Sequence, residues 1–185
     1  VKKQVMQDAL VFLVLLALCV VGRLIDHAPN FTPVAAVALF GGFYFRRRWM
    51  ALTLPLLAML ISDAFLGFTH LGVVISVYVA MLIPVAARRW LKQKPSAWRV
   101  GAAATGSAIF FFILTNFAVW LFGSTYTHDA AGLGLCYLAG LVFLKYTLAG
   151  HLFWSGTLFG IYLLSDRLSA KSLAIASPGY SAAAV

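Results

Sequence analysis

Charge is scarce in this chain. Of 185 residues only 10% are charged, against 63% hydrophobic, and the mean hydropathy is +0.95. That excludes a water-soluble domain, because apolar stretches of this length are accommodated only as transmembrane helices. Cysteine is nearly absent too. Cys19 and Cys136 form no CxxC pair and have no metal-ligand spacing, so both read as small packing residues. The five acids are scattered, and GxSxG, HExxH and the P-loop are all missing. Enzyme chemistry, a nucleotide site and a bound cofactor are therefore not indicated. No internal repeat is visible.

What charge there is sits asymmetrically. Twelve of the 14 basic residues (Lys2, Lys3, Arg46, Arg47, Arg48, Arg88, Arg89, Lys92, Lys94, Arg99, Arg167 and Lys171) fall where one side of a membrane would be. A net charge of +9 would point to nucleic acid in a soluble protein. Here the charges occupy short loops between apolar segments, which is the positive-inside pattern, and no nucleic-acid partner is expected. Four of the five acids and all four histidines are expected away from the basic side. Lys2-Lys3 and the apolar run through Val21 resemble a secretion signal, but no small-x-small cleavage site precedes Arg23, so an uncleaved first span is expected.

The chain has room for about six spans at about 20 residues each. They are placed at about 9–24, 33–45, 49–65, 71–87, 100–122 and 145–164. The second has only thirteen residues, about 20 Å at 1.5 Å each, short of a hydrocarbon core of about 30 Å. It follows Asp26-His27-Ala28-Pro29-Asn30-Phe31-Thr32-Pro33, where two prolines and an asparagine stop the first helix. Pro55 is expected to kink span three. From Gly132 to Leu164 run 33 largely apolar residues, too many for one ordinary span. They are divided into a short outer helix, Gly132–Phe143, and span six. The expected architecture is an all-α, integral membrane bundle of six helices over 1–168, followed by a disordered tail, 169–185. Both termini then lie in the cytoplasm.

Polar side chains gather on the outer half. Asp63 is preceded and followed by apolar residues, and an ionised Asp at bilayer depth costs roughly 2.5–3.5 kcal/mol. It therefore needs a partner, Lys145 first and Arg23 second, either as a structural pair or as the charged floor of a pocket. Asn30 and Thr32 read as caps of span two or as ligand contacts. His70 reads as a solvated loop residue or a ligand donor, and His151 as a structural histidine or a proton relay. Asn116 lies in an aromatic run, Phe110-Phe111-Phe112 to Trp120.

Three groups of residues carry a family resemblance. They are Pro29-Asn30-Phe31-Thr32-Pro33-Val34-Ala35-Ala36-Val37-Ala38-Leu39-Phe40-Gly41-Gly42 with Ser62-Asp63-Ala64-Phe65-Leu66-Gly67-Phe68; Thr115-Asn116-Phe117-Ala118-Val119-Trp120-Leu121; and Cys136-Tyr137-Leu138-Ala139-Gly140. Together they resemble a bacterial inner-membrane family of unknown function, the DUF6580 type. That family is in turn similar to the substrate-binding S components of energy-coupling factor (ECF) vitamin transporters. The resemblance implies a six-helix bundle that binds a micronutrient at its outer face. It also implies delivery to an ECF module of one membrane scaffold and two ATPases. Cobalamin-type S components are among the similar ones, and there a cobalt ligand is expected near the loop after span three, where His70 stands. No metal of the protein's own is implied. Two features depart from the family: Ala17 is followed four residues later by Val21 rather than Ala, and Lys145 and His151 stand where Arg and Asp are expected.

The resulting reading is a substrate-binding subunit in the bacterial inner membrane. Asn30, Asp63, His70, Asn116, Tyr137 and Lys145 are expected to line an outward-opening pocket, with Arg23 closing it. A non-transporting scaffold and a solitary ion-coupled transporter are the alternatives.

Overall fold

Apolar runs set the helices, and polar or Pro/Gly-containing segments end them. The computed structural model describes residues 2–68, 70–93 and 95–176; Val1, Thr69, Lys94 and residues 177–185 lie outside the described residues. Among the described residues the chain is all-helical. The helices are α1 (Lys2–Leu24), α2 (Val34–Tyr44), α3 (Arg48–Leu66), α4 (Leu71–Ala86), α5 (Arg88–Gln93), α6 (Ala97–Phe122) and α7 (Ala130–Ala176). Five are long and apolar enough to cross a membrane: α1, α3, α4 continued by α5, α6 and α7. Their outward faces carry Leu10, Leu13, Leu60, Ile75, Ile113 and Phe153, all exposed, as lipid-facing surfaces require. Pro55 stays inside α3 without ending it.

The expected second span is the exception. α2 has only eleven residues, and Val34 through Gly42 are all buried. A helix apolar on every side belongs inside a bundle, and α2 is the centre of this one, packed against α3, α4 and α7. The segment before it makes up the missing length without helix. Phe31 donates its N–H to Ala28 O at 3.0 Å, and Asn30 has φ 61°. Pro29 and Asn30 thus take the positions that a type II turn assigns to Pro and Asn. The turn lays the half-buried Phe31 along α7 against Phe153 and Trp154, with ring centroids 5.7 and 6.5 Å away. Gly150 makes this possible, since a Cβ there would stand 3.0 Å from Phe31 Cα and 3.3 Å from Asn30 O. Gly150→Ala should therefore displace the 26–33 segment while leaving the helices in place. Faster amide exchange across 26–33, with α6 and α7 unchanged, is the expected readout.

The division of 132–164 into two helices is incorrect. α7 runs unbroken from Ala130 to Ala176, 47 residues, or about 70 Å at 1.5 Å per residue. Length alone suggested a break, but α6 packs along α7 in the most extensive helix pairing of the fold, so no break is needed. A bilayer accommodates such excess by tilt. The helix also continues through the first part of the expected tail; residues 177–185 are outside the described residues.

Asp129 starts α7. Its carboxylate accepts from Gly132 N at 2.7 Å and from Thr127 Oγ1 at 2.9 Å. These bonds, the Gly132 N–H first, hold its pKa below the usual carboxylate value. A carboxyl that keeps its charge better when folded stabilises at neutral pH, and that contribution fades as pH falls through the ordinary range toward the depressed value. Asp129→Ala should fray the first turn of α7 at neutral pH, seen as faster exchange of the Gly132 and Leu133 amides. At acid pH the difference from wild type should vanish.

The two ends of the bundle differ. At the basic end Arg88 donates to Arg46 O at 2.7 Å and Lys92 to Phe45 O at 3.4 Å. Gln4, Gln7, Tyr44, Arg46, Tyr162 and Asp166 border one cleft there, so α1 begins and α7 leaves the bundle at this end. Gln4 also donates to Asp8 at 2.8 Å. Asp8 and Asp166 thus belong to the basic end, contrary to the expectation that four acids avoid it; only Asp26, Asp63 and Asp129 do. Just inside, Phe40, Phe43, Tyr44, Phe159 and Tyr162 form a close aromatic cluster with centroids 5.2–6.3 Å apart. The opposite half is hollow.

Candidate functional site

α1 and α3 meet at that hollow half through one ion pair. Arg23 Nη2 lies 2.7 Å from Asp63 Oδ1, with side chains only 17% and 10% exposed. The partner of Asp63 is therefore Arg23, and the expected lead partner, Lys145, is not involved. Arg23 Nη1 also donates to Ser62 Oγ and, at 3.3 Å, to Met59 O. Tyr78 of α4 donates to Asp63 Oδ2 at 2.9 Å. Each oxygen of Asp63 thus has a donor and each Nη of Arg23 an acceptor. In a low-dielectric interior such mutual satisfaction is what makes a buried pair tolerable.

Three neighbouring cavities open beside this network. The first, of about 280 Å³, lies between α6 and α7 and is lined by Asn30, Phe111, Phe112, Asn116, Tyr126 and Thr147 among others. The second, of about 170 Å³, is lined by Arg23, His27, Asn30, Thr32, Thr147 and His151 over an apolar floor of Met59, Met81 and Phe111. The third, about 280 Å³, flanks Asp63 and Tyr78. The first and second share Asn30, Val77, Phe111 and Thr147; the second and third share Arg23, Met59, Leu66 and Val77. The non-helical turn at Asn30 therefore forms a wall common to two cavities. Irregular backbone at membrane depth persists only where protein buries it or where it lines a cavity; Asn30, itself exposed, does the second.

The polar groups facing these spaces differ in how satisfied they are. Thr115 Oγ1 donates to Phe111 O at 2.8 Å, and Asn116 Nδ2 to Phe112 O at 2.8 Å. Asn116 Oδ1 faces Gly140, where a Cβ would meet the Asn116 carboxamide. Thr147 Oγ1 donates to Phe143 O at 3.0 Å. His151 is 3% exposed, and its Nδ1 is buried with no hydrogen-bond partner among the described residues. An orphaned polar atom costs about 1–3 kcal/mol unless something fills the space beside it. Among the described residues no three His, Cys, Asp or Glu side chains gather as a metal site.

Of the seven expected pocket residues, Arg23, Asn30, Asp63 and Asn116 line these cavities. The other three do not. His70 is exposed at the start of α4 and lines none of them. Lys145 is exposed on α7, its Nζ 4.8 Å from the neighbouring Tyr146 ring centroid. Tyr137 turns its hydroxyl to Ile113 O at 2.9 Å and packs against Phe112. Nor does Asn30 or Thr32 cap α2, which has no side-chain cap. Thr147, Tyr78 and Ser62 were missed. A helical spacing in α7 points to Thr147: Gly140, Leu144, Thr147 and His151 recur at four, three and four residues and share one face.

Comparison with known proteins gives no match among curated proteins and none among solved structures. One protein-family profile matches residues 3–173, described as a family of unknown function (DUF6580), and with nearly the whole chain covered the protein belongs to that family.

Proposed function

We propose that this protein is a substrate-binding subunit for uptake of a small micronutrient, bound in the hollow half of the bundle. That half faces outward and the basic end faces the cytoplasm, in accord with the positive-inside rule. Counting the 25–33 segment with α2 as one crossing gives six crossings, with the entry of α1 and the exit of α7 both at the basic end. The observation that carries the reading is the convergence, on contiguous cavities at that half, of polar groups from α1, α6, α7 and the Asn30 turn, with one histidine nitrogen among them unsatisfied. Pockets with apolar walls and a few placed polar groups are the usual form of a small-molecule site.

Cavities of about 280 and 170 Å³ suit a compact, vitamin-sized molecule with an aromatic or apolar body. A corrinoid is far larger, and His70 stands away from the cavities. The ligand proposed is therefore a smaller one. Lacking a nucleotide-binding motif of its own, the chain would pass that ligand to an ATP-driven module of the ECF kind, as the sequence resemblance implies. The self-satisfied Arg23–Asp63–Tyr78 network favours one rival, a membrane scaffold whose polar groups serve only helix pairing.

Protein purified in mild detergent should carry a small molecule identifiable by native mass spectrometry, or gain thermal stability from a member of a vitamin panel. No bound species and no shift across the panel would favour the scaffold. Uptake that persists without any ECF ATPase would remove the coupling to that module while leaving the binding site standing.

A further inference from the structure

A different cavity lies at the basic end, between α3 and α4, with a volume of about 460 Å³. Its upper wall is Arg48, Arg88 and Arg89, and Leu52, Leu82 and Val85 form much of the rest. No carboxylate lines it. Three further observations bear on its occupant. Arg88 Nη2 donates to Arg46 O, but its Nη1 is buried with no partner among the described residues. Arg48 opens α3, whose N-cap, Arg47, makes no side-chain cap and whose first turn holds no acid. The positive end of a 19-residue helix is therefore uncompensated beside three guanidinium groups. Finally, Trp49, Trp90 and Trp98 are all exposed near this end of the bundle, and exposed tryptophans mark the headgroup level of a bilayer.

We propose that this cavity is a binding site for an anionic phospholipid. The phosphodiester sits at the start of α3 between Arg48, Arg88 and Arg89, and an acyl chain runs over Leu52, Leu82 and Val85. Guanidinium groups pair with phosphate oxygens in bidentate fashion, and free helix N-termini bind phosphate. The apolar wall selects a lipid over a soluble phosphate. Basic pockets between transmembrane helices at headgroup level are established sites for acidic lipids. The site is independent of the ligand cavity and of the function proposed for it.

The test is native mass spectrometry of the purified protein titrated with phosphatidylglycerol or phosphatidylcholine. Wild type should retain phosphatidylglycerol and shed phosphatidylcholine. Arg48→Gln and Arg89→Gln should each weaken retention about fivefold, as expected for about 1 kcal/mol per basic contact. Both side chains reach solvent, and an unchanged melting temperature in phosphatidylcholine nanodiscs would show that the variants fold. Arg167→Gln, which removes a basic residue outside the cavity, should leave retention unchanged. Inorganic phosphate should not displace the lipid. Equal retention of the two lipids, loss on Arg167→Gln as large as on Arg89→Gln, or displacement by inorganic phosphate would each overturn the assignment.

Discussion

Arg23→Leu is expected to destabilise the fold by about 3–5 kcal/mol. The change leaves Asp63, 7% exposed overall, without its cation, and removes the donors from Ser62 Oγ and Met59 O. Tyr78 alone then faces the carboxylate. Removing both charges, as in Arg23→Leu with Asp63→Leu, should restore most of the loss, because no buried charge is left uncompensated. Chemical denaturation in detergent, run on wild type, both single variants and the double variant, measures the coupling directly. A cost under about 1 kcal/mol for Arg23→Leu, the range of solvent-exposed pairs, would mean that the pair is wetted and does not hold α1 to α3.

The second large effect concerns the ligand. Ala139 lines the cavity between α6 and α7 and is itself exposed, so Ala139→Phe can place a ring in that space without entering the packed core. Ligand affinity should fall at least about a hundredfold, roughly 2.7 kcal/mol, while the melting temperature of the unliganded protein stays near wild type. Lys145→Met is the matched control, since Lys145 points away from every cavity described, and it should change neither quantity. Full binding by the Ala139→Phe protein would place the ligand elsewhere. Loss of binding in the Lys145→Met protein would place the ligand against the opposite face of α7.

Most of the architecture was legible because it follows from local chemistry. Apolar length specifies where helices run, and Pro29, Asn30 and Pro33 break the chain wherever they are placed. The brevity of α2 was likewise visible as a count of residues between Pro33 and Arg46. The unbroken course of α7 was not. Thirty-three apolar residues suggest a break only if each helix must fit the bilayer alone, and α6 running alongside removes that condition.

The site residues divide on the same line. Asp63 was identifiable from its apolar neighbours, since a carboxylate at that depth requires a partner in any fold. Which cation fills that role depends on helix packing. The sequence reading puts Lys145 ahead of Arg23, and only the packing of α1 on α3 reverses that order by bringing Arg23 within 2.7 Å. Lys145 fails for a reason already present in helical geometry. At 100° per residue it lies two residues, about 200°, from Thr147 and six residues, about 120° net, from His151. It therefore cannot share the face that those two present to the cavity.

By itself, then, the sequence determined the apolar helices, the break before α2, the gathering of basic residues at one end and the need of Asp63 for a cation. Each follows from the cost of placing backbone, charge or apolar surface in the wrong solvent, and that cost depends on composition along a short stretch. The tertiary structure decided that the cation is Arg23, that His70 and Lys145 stand apart, and that His151 and Thr147 face a hollow. Those outcomes depend on how helices distant in sequence rotate and pack against one another, and in lipid that packing is governed by close fit rather than by hydrophobicity.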